Sequence, residues 1–307
     1  MVVELLPVTK PMEIATSTKL ETASPPRSTG IWDFIGMGAI VGLLGALYSQ
    51  ILPDLATEWW TQPEASYGLL IPPMALYIMY ARRRTTFAYP ARRDLRGLAV
   101  TCLGCLVLLS GELASEFYLA RISIVFILAG LIWTFWGGPR LRTLAFPLVL
   151  LATMVPLPAL VYNAMAAPLQ LFASAIATDL AQIIGVSIYR DGNIIHLAST
   201  SLGVAEACSG LHSLSALVIG ALLLGFLEGA SVVGRVVLLL LSVPLAIGVN
   251  VLRVTGTAIL ADYKPEYAEG YYHSFSGWLV FVLGFGLLWI LGKLVFRWTR
   301  TSRRTIA

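Results

Sequence analysis

Apolar positions in this chain come in long blocks separated by short polar or basic stretches. Eight blocks, at about residues 32–52, 67–81, 97–111, 118–137, 144–161, 211–227, 236–255 and 277–296, read as membrane-spanning helices. Crossing ~30 Å of hydrocarbon takes about 20 helical residues, so the second and third blocks must extend or tilt. Residues 163–185, NAMAAPLQLFASAIATDLAQIIG, are patterned differently. On a helical wheel Leu169, Phe172, Ile176, Leu180 and Ile183 share one side, and Gln170, Ser174, Thr178 and Gln182 the other. That pattern predicts a helix lying in the membrane interface. It is followed by VSIYRDGNIIHLAST, where two short β-branched runs flank Asp191-Gly192, a two-residue hairpin signal. The expected fold is an all-α polytopic integral membrane protein of about eight transmembrane helices. A small outer-face cap, amphipathic interfacial helix plus β-hairpin, is expected over about residues 163–207.

Composition supports lipid as the main solvent. Hydrophobic residues make up 57% of the 307, charged residues only 12%, and mean hydropathy is +0.79. Soluble domains carry roughly 25% charged residues. The net charge of +4 matters less than its placement. With the N-terminus inside, all but Arg121, Arg190, Arg253 and Lys264 of the 21 Lys and Arg residues fall in inner segments. The positive-inside rule then orients both termini to the cytoplasm. The first 30 residues, rich in Ser, Thr and Pro, show no apolar h-region and read as a flexible cytoplasmic tail. Residues 31–296 read as one transmembrane domain and 297–307 as a basic cytoplasmic tail. The three cysteines cannot make a disulfide framework.

In this topology three adjacent spans bring reactive groups to the same outer level. Cys208 lies in VAEACSGLHSL at the mouth of the sixth span, Arg253 in NVLRVTG near the outer end of the seventh, and His273 in YYHSFSGW just before the eighth. A thiolate is the reactive form of cysteine, and a helix N-terminus, a guanidinium and an imidazolium all favour it. Cys–His pairs are activated nucleophiles for acyl transfer, and an arginine in a partly dry site can hold a developing oxyanion. Asn250, three residues before Arg253, is on its helical face and can orient it. Glu206, Ser209 and His212 flank the thiol as supporting candidates. Each residue alone has an ordinary reading: a small apolar cysteine, a snorkelling arginine, a capping histidine. Their convergence at one depth points to chemistry.

The words VAEACSGLHSL, NVLRVTGTAIL and HSFSGWLVF, in that order, resemble the exosortases, multi-span bacterial enzymes related to the archaeosortases of archaea. VPLPALVYNAMAAPLQL, YRDGNIIHL and the early YGLLIPP with ARRR are similar as well, so the resemblance covers about residues 32–296. It implies a cysteine transpeptidase of the inner membrane, with Cys208 as nucleophile and Arg253 and His273 completing the triad at the periplasmic face. The implied partners are membrane lipid and secreted proteins with a C-terminal Pro-Glu-Pro type sorting signal, cleaved through a thioester in a process often linked with exopolysaccharide. Two positions depart from the family pattern. His212 stands where Arg is frequent, and Ser66-Tyr67-Gly68 where Ser-His is frequent before Gly.

Cys102 and Cys105 form a C-x-x-C inside the third span, with no histidine or carboxylate near in sequence to complete a metal site. Glu112 and Glu116 read as loop charges able to pair with Arg121. No P-loop, dinucleotide fingerprint or H-E-x-x-H is present, so no cofactor, metal or nucleic-acid partner is expected. The alternative class is a permease or export component, with Pro156, Pro158 and Pro244 breaking helices around a path.

Overall fold

A computed structural model describes residues 31–198, 200–204, 211–268 and 270–305; the side chains of 31–37, 63–64, 211–212, 268–274 and 300–305 lie outside the description. The chain divides at Ser49–Gln50 into two compact units. The first contributes helix α1 (Ile31–Leu47). In the second, α2 (Ile51–Thr61) leads through a 3₁₀ turn (Pro63–Leu69) to α3 (Ile71–Ala81) and α4 (Arg83–Ala88). Next come α5 (Arg96–Ala114), α6 (Phe117–Trp136), α7 (Gly138–Ala152) and α8 (Ala159–Ile183). Strands β1 (Ile188–Asp191), β2 (Ile194–Leu197) and β3 (Ser201–Gly203) follow, then α9 (Leu211–Leu227), α10 (Val232–Tyr263) and α11 (Gly270–Thr305).

Among the described residues five helical stretches are long and apolar enough to cross a membrane: α5, α6, α8, α10 and residues 275–299 of α11. A sixth is added if α1 and α2 are counted as one segment. The difference from the eight expected blocks has local causes. The 67–81 block breaks into the 3₁₀ turn and an 11-residue α3, with Pro72 and Pro73 setting its first turn. At 1.5 Å per residue α3 covers only ~16 Å. The 144–161 block is not one helix: α7 stops at Ala152 and α8 starts at Ala159, with Pro156 and Pro158 between them. Only its last three residues belong to α8, a 25-residue helix of ~37 Å that takes in most of the 163–185 stretch.

Part of the polar side of α8 packs on protein. Ala166, Ala173, Ser174, Ala177, Thr178 and Ala181 are buried against protein, while Phe172 is 51% and Ile183 82% exposed. Its polar side chains bind backbone: Ser174 Oγ donates to the Gly192 carbonyl at 3.2 Å, and Gln182 Nε2 to the Ile188 carbonyl at 2.9 Å. The helix thus turns mostly small residues toward its neighbours, while Phe172 and Ile183 are exposed alongside Asp179 and Gln182.

The hairpin forms with Asp191 paired to Ile194 and Gly192-Asn193 as the two-residue turn, one position later than the sequence signal; Gly192 takes φ +62. A third strand, unforeseen in the sequence, completes an antiparallel sheet in the order β1-β2-β3. Ile188, Ile195 and Leu197 pack with the alanine face of α8 and with Val251, Val254, Ala258 and Ala261 of α10 in one buried cluster.

Helices α5 and α6 form a close hairpin on small residues. Gly97, Gly104 and Gly111, seven apart, lie against Gly130 and Thr134, Ile127, and Ala120. Asp94 ties its open end, accepting from the Arg96 amide at 3.0 Å and the Trp133 indole at 2.9 Å. These donors, the backbone amide first, hold its carboxyl below the usual carboxylate range. The tie is present above the ordinary carboxylate pKa of about 4 and is lost as pH falls through the lowered value. Cys102 and Cys105 are exposed on α5, and no group of three metal-ligating side chains occurs among the described residues.

A Cβ at Gly111 would lie 2.4 Å from the Ala120 backbone nitrogen, which cannot yield as a side chain does. Gly111→Val is therefore expected to destabilise the protein by about 1–3 kcal/mol, read as a lowered melting temperature in detergent.

Candidate active site

Helix α10 carries the site's described residues. Ser231 caps it, accepting from the Gly234 amide at 3.1 Å, and the helix runs 32 residues past Pro244 to Tyr263. Asn250, Arg253 and Thr257, at spacings of three and four, share one face. Asn250 and Thr257 are each 5% exposed, and Arg253 is half-buried. A basic side chain at this depth among apolar helices needs a fitted seat.

The seat is on α11. A Cβ at Gly277 would lie 2.9 Å from Arg253 Nη2, 3.1 Å from Cζ and 3.3 Å from Nε, so the guanidinium occupies the space a side chain would fill. His273 is four residues before Gly277 in the same helix, on the same face by position. The structure therefore brings Arg253 to the helix face that carries position 273. The His273 and His212 side chains lie outside the described residues, as do Glu206, Cys208 and Ser209 entirely. Their ends are described. Val204, 2% exposed, belongs to the cluster holding Val251 and Val254, and its amide donates to the Asn193 carbonyl at 2.9 Å. On the other side α9 begins at Leu211, and Leu214 lines a narrow cleft with Leu169 and Ala173 of α8 and Ala246, Ile247 and Asn250 of α10. Asn250 Oδ1 is buried with no hydrogen-bond partner, so it does not hold the guanidinium.

A transmembrane exosortase family model matches residues 59–290. The chain belongs to the transmembrane exosortase family. The match covers all the candidate residues and most of the membrane-spanning part. Searches of curated proteins and of solved structures returned no match.

Other polar groups of this exosortase were not singled out in the sequence, or were paired differently. Arg121 pairs with Glu58 of α2, with 10% and 20% of the two side chains exposed. Glu112 is exposed and Glu116 precedes α6 as its N-cap, so neither is needed as its partner. Tyr67, at the position departing from the family pattern, hydrogen-bonds the Ser215 side chain on α9, with Tyr162 and Glu58 nearby. These contacts join α2, the 3₁₀ turn and α9 across more than a hundred residues of sequence. The only advance signal was a carboxylate and a tyrosine inside apolar runs. His196 is occupied elsewhere: its Nδ1 is 2.8 Å from Ser201 Oγ and its ring stacks on Tyr189 at 4.6 Å.

Because the atoms filling the Gly277 notch are the end of a flexible side chain, a valine there displaces the guanidinium and leaves the backbone in place. Gly277→Val is expected to keep the melting temperature within a few degrees and to cut substrate processing by about 100-fold. Thermal unfolding and a membrane processing assay on the same preparation check both parts.

Proposed function

We propose that this exosortase is a membrane-embedded cysteine transpeptidase that cleaves the C-terminal sorting signal of secreted proteins at the outer face of the inner membrane. The observation that carries the reading is the seating of Arg253 against Gly277, which unites the second and third family motifs. The two described anchors of residues 205–210 support it from the other side. Val204 clusters with Val251 and Val254, and Leu214 lines the cleft with Asn250, so both ends of the Cys208 segment abut the Arg253 region of α10.

In this reading the Cys208 thiolate attacks the scissile carbonyl, forming a C–S bond. Arg253 holds the oxyanion in surroundings of low dielectric. On collapse the C–N bond breaks, and His273 gives the departing amine its proton. The thioester is then released to an acceptor nucleophile, whose proton returns to His273. In this reading the site lies at the outer face, where a secreted protein's tail leaves the bilayer. The substrates are proteins with a Pro-Glu-Pro type motif, a membrane span and a basic tail, and release is linked to exopolysaccharide and surface anchoring.

The experiment is co-expression with a tagged protein bearing such a tail. Cys208→Ala should fold normally and lose processing by ~10³-fold or more. A hydroxylamine-sensitive adduct at Cys208 should appear with wild type and be absent from the variant. Normal processing by Cys208→Ala would overturn the nucleophile assignment and leave the permease class standing.

A further inference from the structure

Among the buried polar atoms of α10 that make no hydrogen bond are two acceptors on one face, Asn250 Oδ1 and Thr257 Oγ1. Both residues are 5% exposed. A buried polar atom without a partner costs about 1–3 kcal/mol, so two on one helix face call for a reason. Thr257 also departs from its neighbours. Thr255 on the same helix donates back to the Val251 carbonyl at 2.8 Å, and Thr299 to Val295 at 3.0 Å, as helix threonines commonly do. The Thr257 hydroxyl makes no such bond and remains available as both donor and acceptor.

The two atoms bracket Arg253. Seven residues separate Asn250 from Thr257, a rise of ~10.5 Å along the helix. An extended peptide covers that distance in about three residues at ~3.3 Å each. Asn250 also faces the cleft walled by Leu169, Ala173, Leu214, Ala246 and Ile247. The cleft is apolar apart from the amide and has room for about one water molecule, so a peptide reaching the amide must part its walls. An acceptor at its wall, a guanidinium one turn on and a hydroxyl one turn beyond that match the polar groups of a peptide main chain.

We propose that this stripe is the main-chain binding rail for the sorting segment, with Asn250 accepting a hydrogen bond from a substrate amide and Thr257 meeting the chain about three residues along. This rests on the peptidase reading above and extends it to how the substrate is held. In a Pro-Glu-Pro segment only the middle residue has a main-chain N–H, because proline has none. That N–H is the donor to Asn250 Oδ1.

The test uses full-length enzyme in liposomes and a synthetic C-terminal sorting peptide, with Asn250→Leu and Thr257→Val as shape-conserving variants. Each removes an unsatisfied buried polar atom, so each should raise the melting temperature by ~2–4 °C while raising KM about tenfold. Alkylation of Cys208 by iodoacetamide should keep its wild-type rate. A peptide with the middle amide replaced by an ester should lose about tenfold with wild type and nothing further with Asn250→Leu. Additive losses from the ester and the variant would overturn the assignment. A fall in melting temperature, or an unchanged KM, would also overturn it and leave these residues structural or water-bound. The Cys208→Ala control is separate: its failure removes the peptidase reading, whereas wild-type-dependent processing with an unchanged Asn250→Leu KM removes only the rail.

Discussion

A guanidinium held among apolar helices is the constraint around which this structure is arranged. Taking such a charge from water costs several kcal/mol unless its surroundings are fitted to it. Here the fit is made by the missing side chain at Gly277, which lets α11 approach α10 at the level of Arg253. The same device recurs along the three-helix core. Gly284 receives Val249, Gly220 receives Phe285, and Gly292 receives Leu224. In lipid there is little hydrophobic drive between helices, so close contact through small residues must supply association. At the far end of α9, Lys293 Nζ meets Glu228 at 2.8 Å, fixing the register of α11 against the α9–α10 turn. The helix that carries the candidate acid–base position is thereby held at both ends of its membrane-spanning part.

The sheet and α8 serve the same arrangement from the other side. Short strands gain independent stability only with a packed hydrophobic face or a helix against them. This sheet is stabilised by its apolar face on α10 and by two side-chain bonds from α8. Its last strand delivers Val204, the first residue of the motif that contains Cys208, into the core. The sheet therefore fixes where the chain enters that motif, while α9, tied through Ser215 to Tyr67, fixes where it leaves.

Of the candidate site, the Asn250–Arg253 pair was legible from the chain because both residues sit in one short helical motif. Helical periodicity put Asn250 and Arg253 on one face, and the Asp191-Gly192 signal marked the hairpin to within one position. The pairings between distant segments were not legible. Arg121 had nearer carboxylates at Glu112 and Glu116, yet it bonds Glu58, because α2 and α6 pack together and the Glu58 site is largely shielded from water. The α8 pattern was seen, but its direction was not. A wheel separates polar from apolar sides without saying which side meets protein. Here Ser174 and Thr178 turn inward, where Ser174 bonds the hairpin turn, while Asp179 and Gln182 stay exposed.

By itself, the sequence determined the solvent of this protein, its family, the apolar segments and the three motifs of the candidate site. Composition and local spacing depend only on residues near one another in the chain, so no coordinates are needed to read them. Tertiary structure decided which segments become full-length helices, which face of α8 is buried, and which polar groups are left unsatisfied beside Arg253. Those outcomes depend on close approach between segments far apart in sequence, at distances where one absent Cβ, as at Gly277, separates a seat from a clash.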